Sequence, residues 1–129
     1  MTKILVPRNE YRIGYDLDEL VSKGISACSA VILRTVLEDA AGFLHYGLDM
    51  EEADRKYLEM YRELVLGMDE KDFLELVIVS QKPEEVAERM NKTLNLKVYP
   101  IQLGQNVFTV RYSVRARKLL SEPWRGEPF

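Results

Sequence analysis

Cys28 and His45, the one cysteine and the one histidine among 129 residues, are the side chains here that could make and break covalent bonds together. A thiol attacks a carbonyl only when a base within hydrogen-bond reach takes its proton. Both residues fall within "SKGISACSAVILRTVLEDAAGFLHYG", whose apolar residues from Ala27 to Leu44 cover nearly every side of a helical wheel. That pattern predicts a long buried helix ending near His45, with Gly47 as its left-handed cap. Seventeen helical residues separate thiol from imidazole by roughly 25 Å. Only a sharp bend between them, or contact across a dimer, would join them. The expectation is a buried small thiol and a histidine at a helix end, with no catalytic residue.

Other chemistry is sparse. No Gly-rich phosphate loop and no Cys/His cluster with metal-ligand spacing occurs, so no metal and no cofactor are expected. "DLDE" (Asp16, Asp18, Glu19) has the look of a magnesium carboxylate set, but Asp16 followed by Glu19 also fits a capping box at a helix start. Capping is the simpler reading.

Two groups of residues suit binding. Reading "FTVRYSVRAR" by alternate letters puts Arg111, Arg115 and Arg117 on one side, and Phe108, Val110, Tyr112 and Val114 on the other. Pairing this segment with "LKVYPIQL" as a β-hairpin would gather Lys97, Tyr99, Arg111, Arg115 and Arg117 on an outer sheet face. Cations beside an aromatic are what single-stranded nucleic acid needs. Basic side chains on such a hairpin also discourage edge-to-edge aggregation. The second group is the Pro/Gly-containing tail, where Trp124, Arg125 and Phe129 could anchor a partner or fold back on the domain.

The elements that must hold these residues follow from pattern. Residues 3–15 alternate as an opening hairpin, residues 50–66 form an amphipathic helix, and "FLELVIV" (73–79) reads as a buried strand. Pro83 opens a short third helix through residue 94. The fold class expected is α+β: a helical hairpin and a third short helix on one face of a small, mostly antiparallel sheet ending in a C-terminal β-hairpin. A single domain is expected over residues 1–120, with 121–129 as the aromatic tail.

Composition sets the outer limits. The chain is 47% hydrophobic and 30% charged, ordinary for one globular domain. Its longest apolar run, "ISACSAVIL", falls well short of the ~20 residues a membrane span needs. With one cysteine and no signal-like start, a cytoplasmic protein is expected. The net charge of −3 divides unevenly, with −6 over 49–95 and +4 over 96–129. These features together predict a non-enzymatic protein-binding module, an adaptor, inhibitor or regulatory subunit, whose partner is another protein or a second copy held by opposite charge patches. Single-stranded nucleic-acid binding is the alternative.

Overall fold

The run "SAVILRT" is apolar on both sides because it is a strand covered on both faces, not a helix. In the computed structural model, which describes residues 2–92 and 94–126, it is strand β4 (Ser29–Thr35), in antiparallel register with β5 (Ala40–Tyr46). Val31 and Leu33 point to one layer and Ala30 and Ile32 to the other, all fully buried. A strand sealed on both faces loses its period-2 signature, and that loss is what imitates an all-round apolar helix. The expected helical stretch over 16–46, the first arm of the helical hairpin, is therefore corrected to strands β3 (Glu19–Ile25), β4 and β5, and the hairpin with the 50–66 helix does not form.

Nine strands and two helices are formed by the described residues. One sheet has the order β1-β3-β8-β9, from Lys3–Leu5, Glu19–Ile25, Phe108–Ser113 and Lys118–Pro123. The other has the order β2-β5-β4-β6-β7, adding Tyr11–Tyr15, Leu74–Ser80 and Lys97–Gln102. Both sheets are mixed, since β1 runs parallel to β3 and β7 parallel to β6. Their facing sides share one core, in which Leu20, Val110 and Tyr112 of the four-stranded sheet meet Ile32, Phe43 and Val79 of the five-stranded one. Helices α1 (Met50–Leu66) and α2 (Pro83–Asn91) cover the far face of the five-stranded sheet through Tyr57, Met60, Leu64 and Met90. The protein is a two-sheet sandwich with helices on one outer face, in place of three helices on a single sheet.

Several local expectations survive. The 50–66 helix forms, with the Asp49 carboxylate accepting the Glu52 N–H, and the 73–79 strand forms as β6. Pro100 lies on β7, an edge strand where its missing N–H does no harm. The two expected hairpins do not form. β1 pairs with β3 and β2 with β5, so the 6–10 link crosses between sheets. β7 pairs with β6, whereas β8 pairs with β3 and β9, so the 103–107 link crosses too. The terminal hairpin is instead β8–β9, and β9 runs through residue 120 to Pro123. Gly24, at φ +78, stands in an irregularity of β3 between Ser22 and Ile25. Asp16 caps no helix: it has φ +53 in the β2–β3 turn, where the Asp18 carboxylate accepts the Tyr15 N–H at 2.9 Å.

Candidate functional site

Three chain segments converge at one end of the sandwich. Ser22 comes from β3 in one sheet and His45 from β5 in the other, and their side chains meet in the shared core. Ser22 Oγ lies 2.7 Å from the Val6 carbonyl and 2.8 Å from His45 Nδ1. A serine hydroxyl has one proton, and the Val6 oxygen can only accept it. Ser22 Oγ must therefore accept from Nδ1–H, which leaves Nε2 with its lone pair. That nitrogen is buried and has no hydrogen-bond partner among the described residues. The backbone of His45 is fixed as well, its N–H donating to Glu10 O at 3.0 Å and its carbonyl accepting from Asn9 N–H at 3.2 Å.

Cys28 ends the β3–β4 link, another segment that passes between sheets. Ala30 is the register partner of His45, and Cys28 stands two residues before Ala30. Cys28 itself lies in the bend just before β4 begins at Ser29. Cys28 is 8% exposed and His45 1%.

The electrostatics favour neutral partners at rest. Burial, helped by the charge of Arg8, lowers the His45 pKa to about 4. Burial also raises the Cys28 thiol, while Arg8 acts in the opposite direction. The resting pair is thus thiol and imidazole, with the base unprotonated at neutral pH.

A cleft of about 320 Å³ lies on the helix-covered face of the five-stranded sheet, lined by Ala27, Ser29, Tyr46, Gly47, Leu48 and Met50, by Ser80 to Lys82, and by Glu85, Val86 and Arg89; neither Cys28 nor His45 lines it. Its polar walls are rigid. Ser29 donates to Ser80 Oγ at 2.7 Å, and Ser80 Oγ accepts from Lys82 N–H at 3.0 Å. Tyr46 donates to Asp54 at 2.8 Å, and Arg89 grips the same carboxylate at 2.6 Å. No cluster of three or more His, Cys, Asp or Glu side chains suited to a metal occurs among the described residues.

The residues expected to bind are distributed differently. Lys97 and Tyr99 lie on β7 of one sheet and Arg111 on β8 of the other, so they form no single ladder. Arg111 pairs with Glu122 at 2.7 Å and Glu19 at 3.2 Å. Arg115 pairs with Asp39 at 3.1 Å and Asp16 at 3.4 Å. Arg117 donates to the carbonyls of Thr35, Val36 and Glu38. Tyr99 donates to Glu75 at 2.8 Å, and its ring is flanked by Arg34 and Lys97 at 5.0 and 5.2 Å. Trp124 is half-buried, with its backbone N–H on Val107 O at 2.8 Å and its ring 3.9 Å from the point where a Gly24 Cβ would stand. Arg125 is exposed, and Phe129 lies outside the described residues.

Ser22 was not legible as a site residue, because its partner is visible only when 16–46 is read as strands. No helix is long and apolar enough to cross a membrane among the described residues. No protein-family model matches the chain, and no curated protein matches it.

Proposed function

We propose that the protein is a thiol-dependent hydrolase that cleaves a small amide or ester, with Cys28 as nucleophile, His45 as general base and Ser22 as the residue that orients the base. The observation that carries this reading is the unpartnered, buried Nε2 of His45, held in its base tautomer by Ser22, with the one thiol of the chain two residues before its register partner Ala30. In the first step Nε2 takes the Cys28 proton as sulfur attacks the carbonyl carbon. The C–N or C–O bond then breaks, and the imidazolium returns the proton to the leaving amine or alcohol. Water, deprotonated by the same nitrogen, hydrolyses the thioester and regenerates the thiol. The net reaction consumes one water and yields a carboxylic acid.

With Cys28 8% exposed and His45 1%, a small acyl group suits the pair better than an extended peptide. The test is hydrolysis of p-nitrophenyl acetate and of small primary carboxamides by the wild-type chain, Cys28→Ala and His45→Ala. Turnover lost in both variants supports the assignment; equal rates in all three would end it.

Protein binding is a second reading, favoured by an apolar surface at the opposite end of the five-stranded sheet. Leu37 at 62%, Phe73 at 56% and Leu66 at 88% are exposed there, where the β4–β5 turn, the start of β6 and the end of α1 lie. Sedimentation of the wild-type chain and Leu66→Asp at several concentrations tests whether a second copy occupies it.

A further inference from the structure

We propose that the cleft between the starts of α1 and α2 is a binding site for a small monocarboxylate with a compact apolar body. The site is separate from the hydrolase reading, since neither Cys28 nor His45 lines it. It lies where β6, α2 and β7 form a βαβ unit: β6 and β7 are parallel neighbours, and α2 begins at Pro83, just beyond Ser80 at the end of β6. The loop that leaves the first strand of such a unit, with the helix start that follows it, is well placed to hold an anion. The volume of about 320 Å³ is near the lower limit of ligand sites, which restricts the occupant to a small molecule.

One buried hydroxyl proton at the cleft has no acceptor. Ser80 Oγ accepts from Ser29 Oγ–H at 2.7 Å and from Lys82 N–H at 3.0 Å, so the proton of Ser80 itself is unclaimed among the described residues. Reversing the serine pair only moves the unclaimed proton to Ser29. Both serines are 3% exposed and both line the cleft, so the acceptor must come from within it. The start of α2 adds further donors. Lys82 supplies no side-chain cap, and the first N–H of this turn to reach a carbonyl is that of Val86, on Lys82 O at 3.3 Å. Pro83 has no N–H, so the open N–H groups belong to Glu84 and Glu85.

The charges around the cleft favour a single negative charge. Lys82 meets no carboxylate within ion-pair distance among the described residues, whereas Arg89 is already held by Asp54 at 2.6 Å. Glu85 is the one acid in the lining, and it opposes a second negative charge. A carboxylate fits this balance better than a phosphate dianion, and its two oxygens can accept from the hydroxyl and the helix N–H groups together. The apolar part of the ligand has its own wall. Leu48 and Met50 stand 71% and 51% exposed at the cleft, with Val86 also lining it. Covering such side chains favours an apolar body over a polar one.

Benzoate, benzamide and phenyl phosphate test this, because they share a ring and differ in charge. Amide NMR titrations of the wild-type chain, Lys82→Gln, Glu85→Gln and Ser80→Ala give each affinity and its location. Benzoate should bind saturably, shift the amides of Lys82, Glu84 and Glu85, and bind about 10-fold tighter than benzamide. Lys82→Gln should weaken benzoate about 3- to 10-fold, and Glu85→Gln should tighten it by a similar factor, the range for one unit charge a few ångströms away in a wet cleft. Ser80→Ala should weaken it about 10-fold. Benzamide equal to benzoate, phenyl phosphate tighter than benzoate, or no saturable shift at this cleft would each overturn the proposal. So would unchanged affinity in both Lys82→Gln and Glu85→Gln, two exposed positions whose variants keep the test decisive if Ser80→Ala does not fold. None of these titrations involves the thiol, so hydrolysis by Cys28 stands or falls apart from them.

Discussion

Ser22 Oγ and His45 Nδ1 lie 2.8 Å apart, although one belongs to the four-stranded sheet and the other to the five-stranded sheet. The bond fixes the imidazole tautomer and joins the two layers at once. Ser22→Ala removes both effects. The expected result is a fall of about 10-fold or more in hydrolysis, with a stability loss of about 1–3 kcal/mol because Val6 O and His45 Nδ1–H lose a buried partner. Ser22→Thr, which restores the hydroxyl, should recover part of the rate. Parallel rate measurements and urea titrations check this.

The pH dependence of stability follows from His45. Its folded pKa, lowered to about 4 by burial and then by Arg8, lies below the ordinary 6.5, so between these values the unfolded chain binds a proton that the folded chain does not. Stability from this group is complete above pH 6.5 and falls as pH drops towards 4, by up to about 3 kcal/mol. Urea midpoints at pH 7, 6, 5 and 4 should decline accordingly. The decline should be reduced in His45→Asn, and an unchanged pH profile in that variant would refute the assignment.

Arg117 and Arg115 should separate sharply when each is changed to alanine. Arg117 closes the β4–β5 turn through three backbone carbonyls. Its loss should cost about 2–3 kcal/mol, the range for charge-assisted bonds. Arg115 makes exposed pairs with Asp16 and Asp39, and its loss should cost about 1 kcal/mol or less. Thermal unfolding of the two variants gives the comparison.

Gly42 permits the close approach of α1 to β5. A Cβ at this position would stand 2.7 Å from Met60 Cγ and 3.2 Å from Leu64 Cδ1. Gly42→Val should therefore destabilise by about 1–3 kcal/mol. Restoring much of that loss with Met60→Ala would show that the contact is the cause.

The helices were legible because each has one wet face. Tyr57, Met60 and Leu64 alternate with exposed acids and arginines, and Pro83 marks the start of α2. The alternation of β8 was legible for the same reason, with Val110, Tyr112 and Val114 buried and Arg111 only partly covered. The stretch from Ser29 to Tyr46 offered no such contrast, since Val31 meets helices and Ile32 meets the opposite sheet. Nor does a local pattern reveal that the segments at 6–10 and 103–107 change layers. Their strand partners are chosen by long-range packing. The Ser22–His45 contact was lost with the strands, because it arises only when both segments are read as strands of facing sheets.

The links at 6–10 and 26–28, which run from one layer to the other, have a consequence for the order of assembly. Neither layer owns both the imidazole and its anchor. A nascent chain with undocked layers lacks the Ser22–His45 bond, so under the proposed hydrolase reading the base would be prepared only at the last act of folding.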